Sequence, residues 1–234
     1  MPPDTSRVVK SRALVSWSGG KDSAWALHLL RQSDEYEIVG LLTTVNQRFQ
    51  RIAIHGVRES LLAQQAEAIG LPLWKVELPF PCSNDEYEAR MRVVFERAKD
   101  EGVEAVVFGD LFLEDIRAYR ERLLQPAGLL AVFPVWGLPT ADLAGEMIRA
   151  GVRATIVTID PRRLDPAYVG RSFDAQLLFD LPEDIDRCGE RGEFHTFVWD
   201  GPMFAHPIAI TLGEFVERDG FWYADLVSAA NVAL

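Results

Sequence analysis

The chain has only two cysteines, Cys82 and Cys188, among its 234 residues. They are far apart and form no C-x-x-C pair, so neither a disulfide scaffold nor a structural zinc site is predicted. No apolar run approaches the roughly 18 residues that a membrane-spanning helix needs. The N-terminus, MPPDTSRVVKSR, has no apolar stretch behind its charges. We therefore expect an intracellular, cytoplasmic protein without a membrane partner.

Positive charge is also scarce. The 24 Lys and Arg residues face 35 Asp and Glu residues, which gives a net charge of -11. Because nucleic-acid surfaces draw on clustered Lys and Arg, we expect no nucleic-acid partner. Only four of the 24 basic residues are lysines, and one of them, Lys21, lies inside a glycine-rich turn.

Apolar, β-branched segments alternate with amphipathic segments up to about Asp160. The apolar segments are ALVSW, EIVGLLTTV, LWKVEL, AVVFGD, LLAVFPVW and VRATIVTID. Strands separated by ten or more helical residues are typical of βαβ units, so the sequence predicts an α/β fold with a Rossmann-like parallel sheet and helices on both faces. We expect this domain over residues 1–160 and a smaller C-terminal α+β subdomain over residues 161–234, where FHTFVW, HPIAITL and FWYADLV alternate as antiparallel strands.

The turn Ser18-Gly19-Gly20-Lys21-Asp22-Ser23 follows the first strand and opens the first helix, where a parallel sheet binds ligands. The amides of adjacent glycines, the helix N-terminus and the Lys21 charge together predict a phosphate site, with an ordinary structural turn as the alternative. Asp22 would hold Mg²⁺ or else serve as a carboxylate favoured at a helix start. The predicted nucleotide-binding residues are Ser16, Ser18, Gly19, Gly20, Lys21, Asp22, Ser23, Thr43, Gly109 and Asp110.

Gly109 and Asp110 also end an apolar strand, so they are predicted at the same sheet edge, with Asp110 near Mg²⁺. Glu114, Arg117 and Glu121 then share one helical face. They would contact a substrate carboxylate or phosphate, or form a solvated ladder of salt bridges.

The segment CGERGEFHT, from Cys188 to Thr196, places two carboxylates and a histidine in a polar connector. Glu190, Glu193 or His195 would accept a proton from an attacking amine, although His195 could instead be structural. Packing is the preferred role for Cys188, with a nucleophile as the alternative. The predicted substrate contacts in the chain are Glu114, Arg117, Glu121, Gly192, Glu193, His195 and Thr196.

SGGKDS resembles the pyrophosphate loop of the PP-loop ATP pyrophosphatases. Together with GDLFLEDIRAYRE, CGERGEFHT and the DGP at residues 200–202, it resembles the branch that contains the diphthine–ammonia ligases and their bacterial relatives. The resemblance implies a Rossmann-like fold of the HUP type, ATP and Mg²⁺ as cofactors, and catalytic roles for Lys21, Asp22, Glu190, Glu193 and His195. It further implies that a carboxylate is adenylated with release of pyrophosphate and that ammonia displaces AMP to give an amide.

The named ligases act on diphthine of elongation factor 2, which applies here only if the source makes diphthamide. Ile116 and Tyr119 stand where these ligases carry Gln and a second Arg, and Asp186-Arg187 replaces Asn-Pro. We also expect this chain to lack the extra C-terminal domains of the eukaryotic ligases. If the source does not make diphthamide, another carboxylate or an amide oxygen would be the acceptor.

Two other functions compete with the ligase. A sulfur-transferring enzyme acting on tRNA would need paired cysteines and a basic surface. A nucleotide-binding sensor would leave CGERGEFHT without a role. A homodimer is also considered, through four aromatic residues that could equally belong to the core: Trp199, Phe204, Phe221 and Trp222.

Overall fold

A computed structural model describes residues 10–49, 51–52 and 56–229. The helices are α1 (Lys21–Ser33), α2 (Glu59–Ile69), α3 (Asn84–Asp100), α4 (Glu114–Leu124), α5 (Thr140–Arg149) and α6 (Ala175–Asp180). The strands are β1 (Ser11–Ser16), β2 (Tyr36–Asn46), β3 (Arg51–Ile52), β4 (Leu73–Leu78), β5 (Ala105–Val107), β6 (Leu130–Val132), β7 (Arg153–Ile159), β8 (Phe194–Asp200), β9 (Ile210–Arg218) and β10 (Phe221–Ser228). The predicted α/β class is confirmed.

The first sheet is parallel in the order β4-β2-β1-β5-β6, and the short β3 pairs antiparallel with the end of β2. The chain builds outward from β1 through β2 and β4, and then continues on the other side of β1 with β5 and β6. The strand order therefore reverses between β1 and β5. Loops that leave these two strands border the crevice where such sheets bind ligands.

Helices cover both faces of this sheet, because side chains along β1 alternate between two cores. Ala13 and Val15 belong to the larger core, which includes residues of α1, α2, α5 and the second sheet. Leu14 faces the other core, which it shares with Met91 and Phe95 of α3. The prediction of helices on both faces is confirmed.

The ends of the helices follow local chemistry. The Ser83 side chain accepts a hydrogen bond from the Glu86 amide at 3.2 Å and caps α3. Gly70 ends α2 in the left-handed conformation, with φ 76°, and donates its N–H to the carbonyls of Ala66 and Glu67. These caps fix where the amphipathic segments begin and end.

The second sheet is antiparallel, in the order β8-β7-β10-β9. The prediction that VRATIVTID continues the parallel sheet is wrong, since β7 lies in the second sheet between β8 and β10. A central strand is buried on both faces in either kind of sheet, so its apolar run does not identify its neighbours. The change of sheet falls between β6 and β7; the domain boundary near residue 160 stays a prediction.

Two of the four aromatic residues considered for a dimer interface, Trp199 and Phe204, pack against the larger core. Within the described ranges, no helix has the length and apolar character to cross a membrane.

Candidate active site

The glycine turn, Ser18 to Ser23, joins β1 to α1 at the reversal of strand order and is here called the glycine loop. Gly19 has a left-handed φ of 76°. The Ser18 hydroxyl accepts a hydrogen bond from the Gly20 amide at 3.2 Å and lies 3.2 Å from the Ser23 hydroxyl, which donates to the Gly20 carbonyl at 3.0 Å. Both serines therefore stabilise the shape of the loop.

The loop packs closely on its neighbours at two glycines, Gly109 and Gly20. A Cβ on Gly109 would lie 2.6 Å from the carbonyl carbon of Asp22 and 2.7 Å from the amide nitrogen of Ser23. A Cβ on Gly20 would lie 3.1 Å from the carbonyl oxygen of Thr196. The end of β5 and the strand β8 thus pack directly on the start of α1.

Strand β8 also forms hydrogen bonds with the loop. The Lys21 amide donates to the Thr196 hydroxyl oxygen at 3.1 Å, and the Val198 amide donates to the Gly19 carbonyl at 2.9 Å. The first and third sequence motifs, far apart in the chain, are therefore in contact.

The Lys21 side chain is buried, with 1 % of the residue exposed. Its Nζ donates to the Cys188 carbonyl and, at 2.9 Å, to a carboxylate oxygen of Asp22, and it lies 5.6 and 5.4 Å from the ring centroids of Phe173 and Phe194. Burial disfavours the charge, but Asp22 and other nearby acidic groups outweigh it and raise the Lys21 pKa. The ammonium group therefore stays charged in the inner wall of the site.

The carboxylates of Asp22 and Glu190 lie near this ammonium group. Oδ1 of Asp22 is buried and has no hydrogen-bond partner among the described residues, and burial raises the Asp22 pKa even though Lys21 lowers it. The Glu190 carboxylate accepts a hydrogen bond from the Leu111 amide at 2.7 Å. Burial, together with the charges of Asp22 and Asp110, raises the pKa of Glu190 to about 7.

Glu193 and His195, the other two residues considered as bases, have different surroundings. Glu193 is 2 % exposed; one carboxylate oxygen accepts from the Asp186 amide at 3.3 Å, and the other is buried without a partner in the described part of the chain. His195 alternates with Thr196 along β8 and lines an open depression of about 650 Å³ that also contains Arg162 and Arg191. The structure does not bring His195 to the glycine loop.

The connector before β8 is organised by Asp186. Its Oδ1 accepts from the amides of Cys188 and Glu190 at 2.9 and 3.2 Å, and its Oδ2 accepts from the Thr140 hydroxyl at 2.6 Å. An asparagine carbonyl could accept the same two amides, so this departure from the family pattern preserves the turn. Cys188 is 1 % exposed and burial raises its pKa, which agrees with a packing role. Gly192 adopts a φ of 84° in the turn that follows.

The side chains of the middle motif, Gly109 to Glu121, face two different surfaces. Arg117 pairs with Glu121 at 2.9 Å and lies 5.0 and 4.8 Å from the ring centroids of Phe133 and Trp136. Glu114 is exposed in the first turn of α4. The Arg117–Glu121 contact is the kind of solvated salt bridge that we considered as the alternative to substrate binding.

Arg120, which the sequence did not single out, faces inward. Its Nε lies 3.4 Å from a carboxylate oxygen of Asp110, and its guanidinium lies 5.1 Å from the ring centroid of Phe108. Aromatic neighbours do not distinguish Arg120 from Arg117, because both guanidinium groups lie beside aromatic rings.

Beside the loop lies a cleft of about 450 Å³, here called the nucleotide cleft, between the ends of β1 and β2 and helices α3 and α4. Thr43 is 3 % exposed, and its hydroxyl has no partner among the described residues. The two departures in the middle motif also line this cleft. The polar residues that line the cleft include Ser16, Ser18, Thr43, Asn84 and Arg120, and the two departures from the family pattern are Ile116 and Tyr119.

Gln65 of α2 is a further residue that sequence reasoning missed. It is completely buried; it accepts a hydrogen bond from the Trp17 indole at 2.8 Å and donates to the carbonyls of Gly19 at 3.0 Å and Val198 at 2.7 Å. It follows the buried Leu61 by one helical turn, so a polar residue at an apolar position was the available signal.

The chain is similar to proteins of known families along most of its length. Residues 11–131 match a family model described as the diphthamide synthase N-terminal domain, and residues 139–229 match the diphthamide synthase C-terminal domain. A diphthine–ammonia ligase of Homo sapiens is 26% identical over 227 residues, which cover 85% of this chain and 82% of the relative. That of Danio rerio is 26% identical over 220 residues, covering 85% and 86%. That of Saccharomyces cerevisiae is 26% identical over 234 residues, covering 85% of this chain and 34% of the yeast protein.

These relatives confirm the prediction of an ATP-dependent ligase related to the diphthine–ammonia ligases. Both family models are matched, and together they include the glycine loop, the Gly109–Asp110 turn and strand β8. The chain belongs to the diphthamide synthase family.

Proposed function

We propose that this chain adenylates a carboxylate acceptor with ATP and then transfers the acyl group to ammonia, which gives an amide, AMP and pyrophosphate. The observation that carries the proposal is the convergence of three distant motifs at the start of α1. Gly109 packs on Asp22, Thr196 accepts from the Lys21 amide, and Glu190 lies within electrostatic reach of Asp22. A structural turn requires none of these contacts.

The nucleotide cleft and glycine loop suit ATP. The unpartnered Thr43 hydroxyl offers a hydrogen bond within a mostly apolar cleft that can hold the adenosine. The positive end of the α1 dipole favours phosphate oxygens at the glycine loop. The Gly20 and Lys21 amides are already bonded to the Ser18 and Thr196 hydroxyls, so we propose that other amides of this helix start bind the phosphates. The buried Lys21 ammonium group forms an ion pair with the Asp22 carboxylate and adds positive potential near the phosphates.

Asp22 and Asp110 are our proposed ligands for Mg²⁺. The unpartnered Oδ1 of Asp22 is the donor that fits a hard cation. Among the described residues, no three His, Cys, Asp or Glu side chains form a metal site by themselves, so phosphate oxygens and water would complete the coordination. When bound, the ion would offset negative charge on the phosphates.

Glu190 is the proposed general base. A carboxylate with a pKa of about 7 can remove a proton from the attacking nitrogen at neutral pH and later release it. Glu193, buried in the same connector, would orient the acceptor end of the site. His195 faces the other side of β8, and a proton-transfer role for it stays a prediction.

The acceptor itself is proposed only as a carboxylate. The relatives are named for diphthine and ammonia, and diphthine on elongation factor 2 is the acceptor here if the source makes diphthamide. A homodimer stays a prediction, which light scattering during size-exclusion chromatography would test.

The test combines purified protein, ATP, Mg²⁺ and ammonia with a panel of carboxylates that includes elongation factor 2 bearing diphthine. We expect pyrophosphate and AMP to form only with an acceptor. Lys21→Ala should abolish AMP formation, whereas Lys75→Ala should not, because Lys75 pairs with Glu59 on the surface. Tight ATP binding without AMP under every condition would favour the sensor.

Glu193→Ala separates the two half-reactions. We expect it to retain ATP binding, measured by calorimetry, and to lose acceptor turnover. Unchanged turnover in this variant would remove Glu193 from the proposed mechanism.

A further inference from the structure

The open depression that His195 lines is separate from the nucleotide cleft. It has a volume of about 650 Å³ and lies where the turn after β7 meets the turn before β8. The Asp160 amide donates to the Glu193 carbonyl at 3.1 Å, which holds the two turns side by side. Among the described residues, none that lines this depression also lines the cleft. We call it the arginine depression.

The lining of the arginine depression is mainly positive. Arg162, Arg163 and Arg191 line it, together with one carboxylate among the described residues, that of Asp160. Three guanidinium charges against one carboxylate leave two positive charges uncompensated. The whole chain has a net charge of -11, so an excess of basic residues does not explain this concentration of arginine.

Asp160 holds Arg162 in a fixed orientation. Asp160 is 4% exposed, and its carboxylate accepts from Nε and Nη2 of Arg162 at 2.8 Å each and from the Arg162 amide at 3.0 Å. The side-chain pairing uses two of the five N–H donors of the guanidinium group, and the others remain for a ligand. Because the side chain is already ordered, a ligand that binds it pays less of the entropy cost of ordering it.

The other two arginines are less committed. Nε of Arg163 lies 3.9 Å from the Asp160 carboxylate, which is too far for a hydrogen bond. Arg191 is exposed and has no ion-pair partner in the part of the chain that the structure describes; its guanidinium lies 5.5 Å from the ring centroid of Phe112. Both guanidinium groups can therefore bind an anion without breaking a strong ion pair.

We propose that the arginine depression binds a doubly charged phosphate group, carried by a small monoester or free in solution. A phosphate monoester has a charge of about -2 near pH 7 and three acceptor oxygens, which match the uncompensated charge and the three guanidinium groups. A carboxylate offers one charge and two oxygens, and would leave one guanidinium group without a partner.

One wall of the depression suits the organic part of a monoester. Phe221 lines the depression, and the Arg162 guanidinium lies 5.7 Å from the centroid of its ring. A group attached to a phosphate at Arg162 would therefore lie close to an aromatic surface. The site does not depend on the proposed ligase function, because the glycine loop and the nucleotide cleft are not part of it.

Binding is tested without ATP or Mg²⁺, at constant ionic strength, by NMR of the histidine ring signals. His195 lines the depression and is one of four histidines in the chain, so His195→Gln assigns its signal. We expect inorganic phosphate and phenyl phosphate to shift this signal in a saturable manner, and acetate to bind at least about tenfold more weakly. If neither phosphate shifts the signal, or if acetate binds as tightly, the inference is wrong.

Variants then locate the bound anion. Arg163→Gln and Arg191→Gln should each weaken the binding of phenyl phosphate about tenfold, because each removes a hydrogen bond between charged groups. Arg92→Gln is the matched control, since Arg92 is exposed on α3 and does not line the depression. Equal weakening in the control would indicate a general effect of net charge and contradict the site. Unchanged binding when Arg163 and Arg191 are both replaced would place the anion elsewhere and contradict it as well.

Comparison of the two phosphates distinguishes the sources. Tighter binding of phenyl phosphate that is lost in Phe221→Leu indicates a monoester whose organic group contacts the ring, whereas equal affinity of the two probes indicates free phosphate. Both outcomes support the depression as the site. Because these measurements contain no ATP and no acceptor, their failure would leave the ligase proposal untouched, and failure of the ligase proposal would leave them unchanged.

Discussion

The backbone amide of Lys21 is hydrogen-bonded to the side-chain hydroxyl of Thr196 at 3.1 Å, across 175 positions of the chain. This contact joins the glycine loop of the parallel sheet to a strand of the antiparallel sheet. The proposed nucleotide site is consequently built by both halves of the chain, and substitutions in β8 should alter the glycine loop.

Thr196→Val keeps the shape of the side chain but removes the acceptor for the Lys21 amide. Leaving a buried N–H without a partner costs about 1–3 kcal/mol, and we expect this loss in urea unfolding together with weaker ATP binding. Thr211→Val, on the exposed part of β9, serves as the control. Equal effects of the two substitutions would show that the Thr196 hydroxyl is unimportant.

Gly109→Ala would force a Cβ to within 2.6 Å of the Asp22 backbone. Because backbone atoms cannot move aside as a flexible side chain does, we expect a loss of roughly 1–3 kcal/mol in stability and a large fall in ATP affinity. In Gly145→Ala, within α5, the new Cβ meets only Arg149 at 3.9 Å. That control should gain about 0.5–1 kcal/mol, as expected for Gly→Ala in a helix interior. A neutral Gly109→Ala would disprove the close packing at the start of α1.

Glu190 should make stability depend on pH. Folding raises its pKa from 4.5 to about 7, so the unfolded chain ionises first as the pH rises. As the pH rises from 4.5 to about 7, the contribution of this carboxylate to the free energy of unfolding therefore decreases. Above about 7 the contribution is constant.

Glu190→Gln removes the titration but keeps an acceptor for the Leu111 amide. Relative to the parent, the variant should gain stability as the pH rises from 4.5 to 7, measured by urea unfolding at several pH values. A stability difference that is constant across this range would contradict the raised pKa.

Gln65→Leu would leave the Trp17 indole and the carbonyls of Gly19 and Val198 without their partner. Buried polar groups that lose a hydrogen bond cost about 1–3 kcal/mol each, so we expect the variant to be severely destabilised or unfolded. The neighbouring Gln64 gives the control. Within the described residues its side chain accepts one hydrogen bond, from the Ser228 hydroxyl at 3.4 Å, so Gln64→Leu should change the urea midpoint little.

The parallel sheet could be predicted because its strands and helices alternate with clear periodicity, and Lys21, Asp110 and Glu190 could be singled out by their motifs. β7 could not be assigned to its sheet, because burial on both faces erases the polar alternation that marks an antiparallel strand. Arg117 and Arg120 are one helical turn apart, and the sequence alone does not show which of them faces the cleft.

Along β8, the alternation of side chains was available from the sequence. His195 and Thr196 are neighbours in a strand, so they cannot both face the loop. A cavity of about 350 Å³ is, in contrast, formed by β3, the end of β4 and the distant β9–β10 hairpin. Its aromatic and charged residues form no local motif, and only the packing of the two sheets brings them together.

The contacts of Lys21 with Cys188 and Thr196 have a consequence for the chain during its synthesis. The glycine loop is translated well before β8, since Thr196 follows Lys21 by 175 positions. Until residues 188–198 have left the ribosome, the Lys21 ammonium group lacks the carbonyl that holds it and the loop amide lacks its hydroxyl. The proposed ATP site therefore cannot form on the ribosome until β8 has been translated and has packed against the glycine loop.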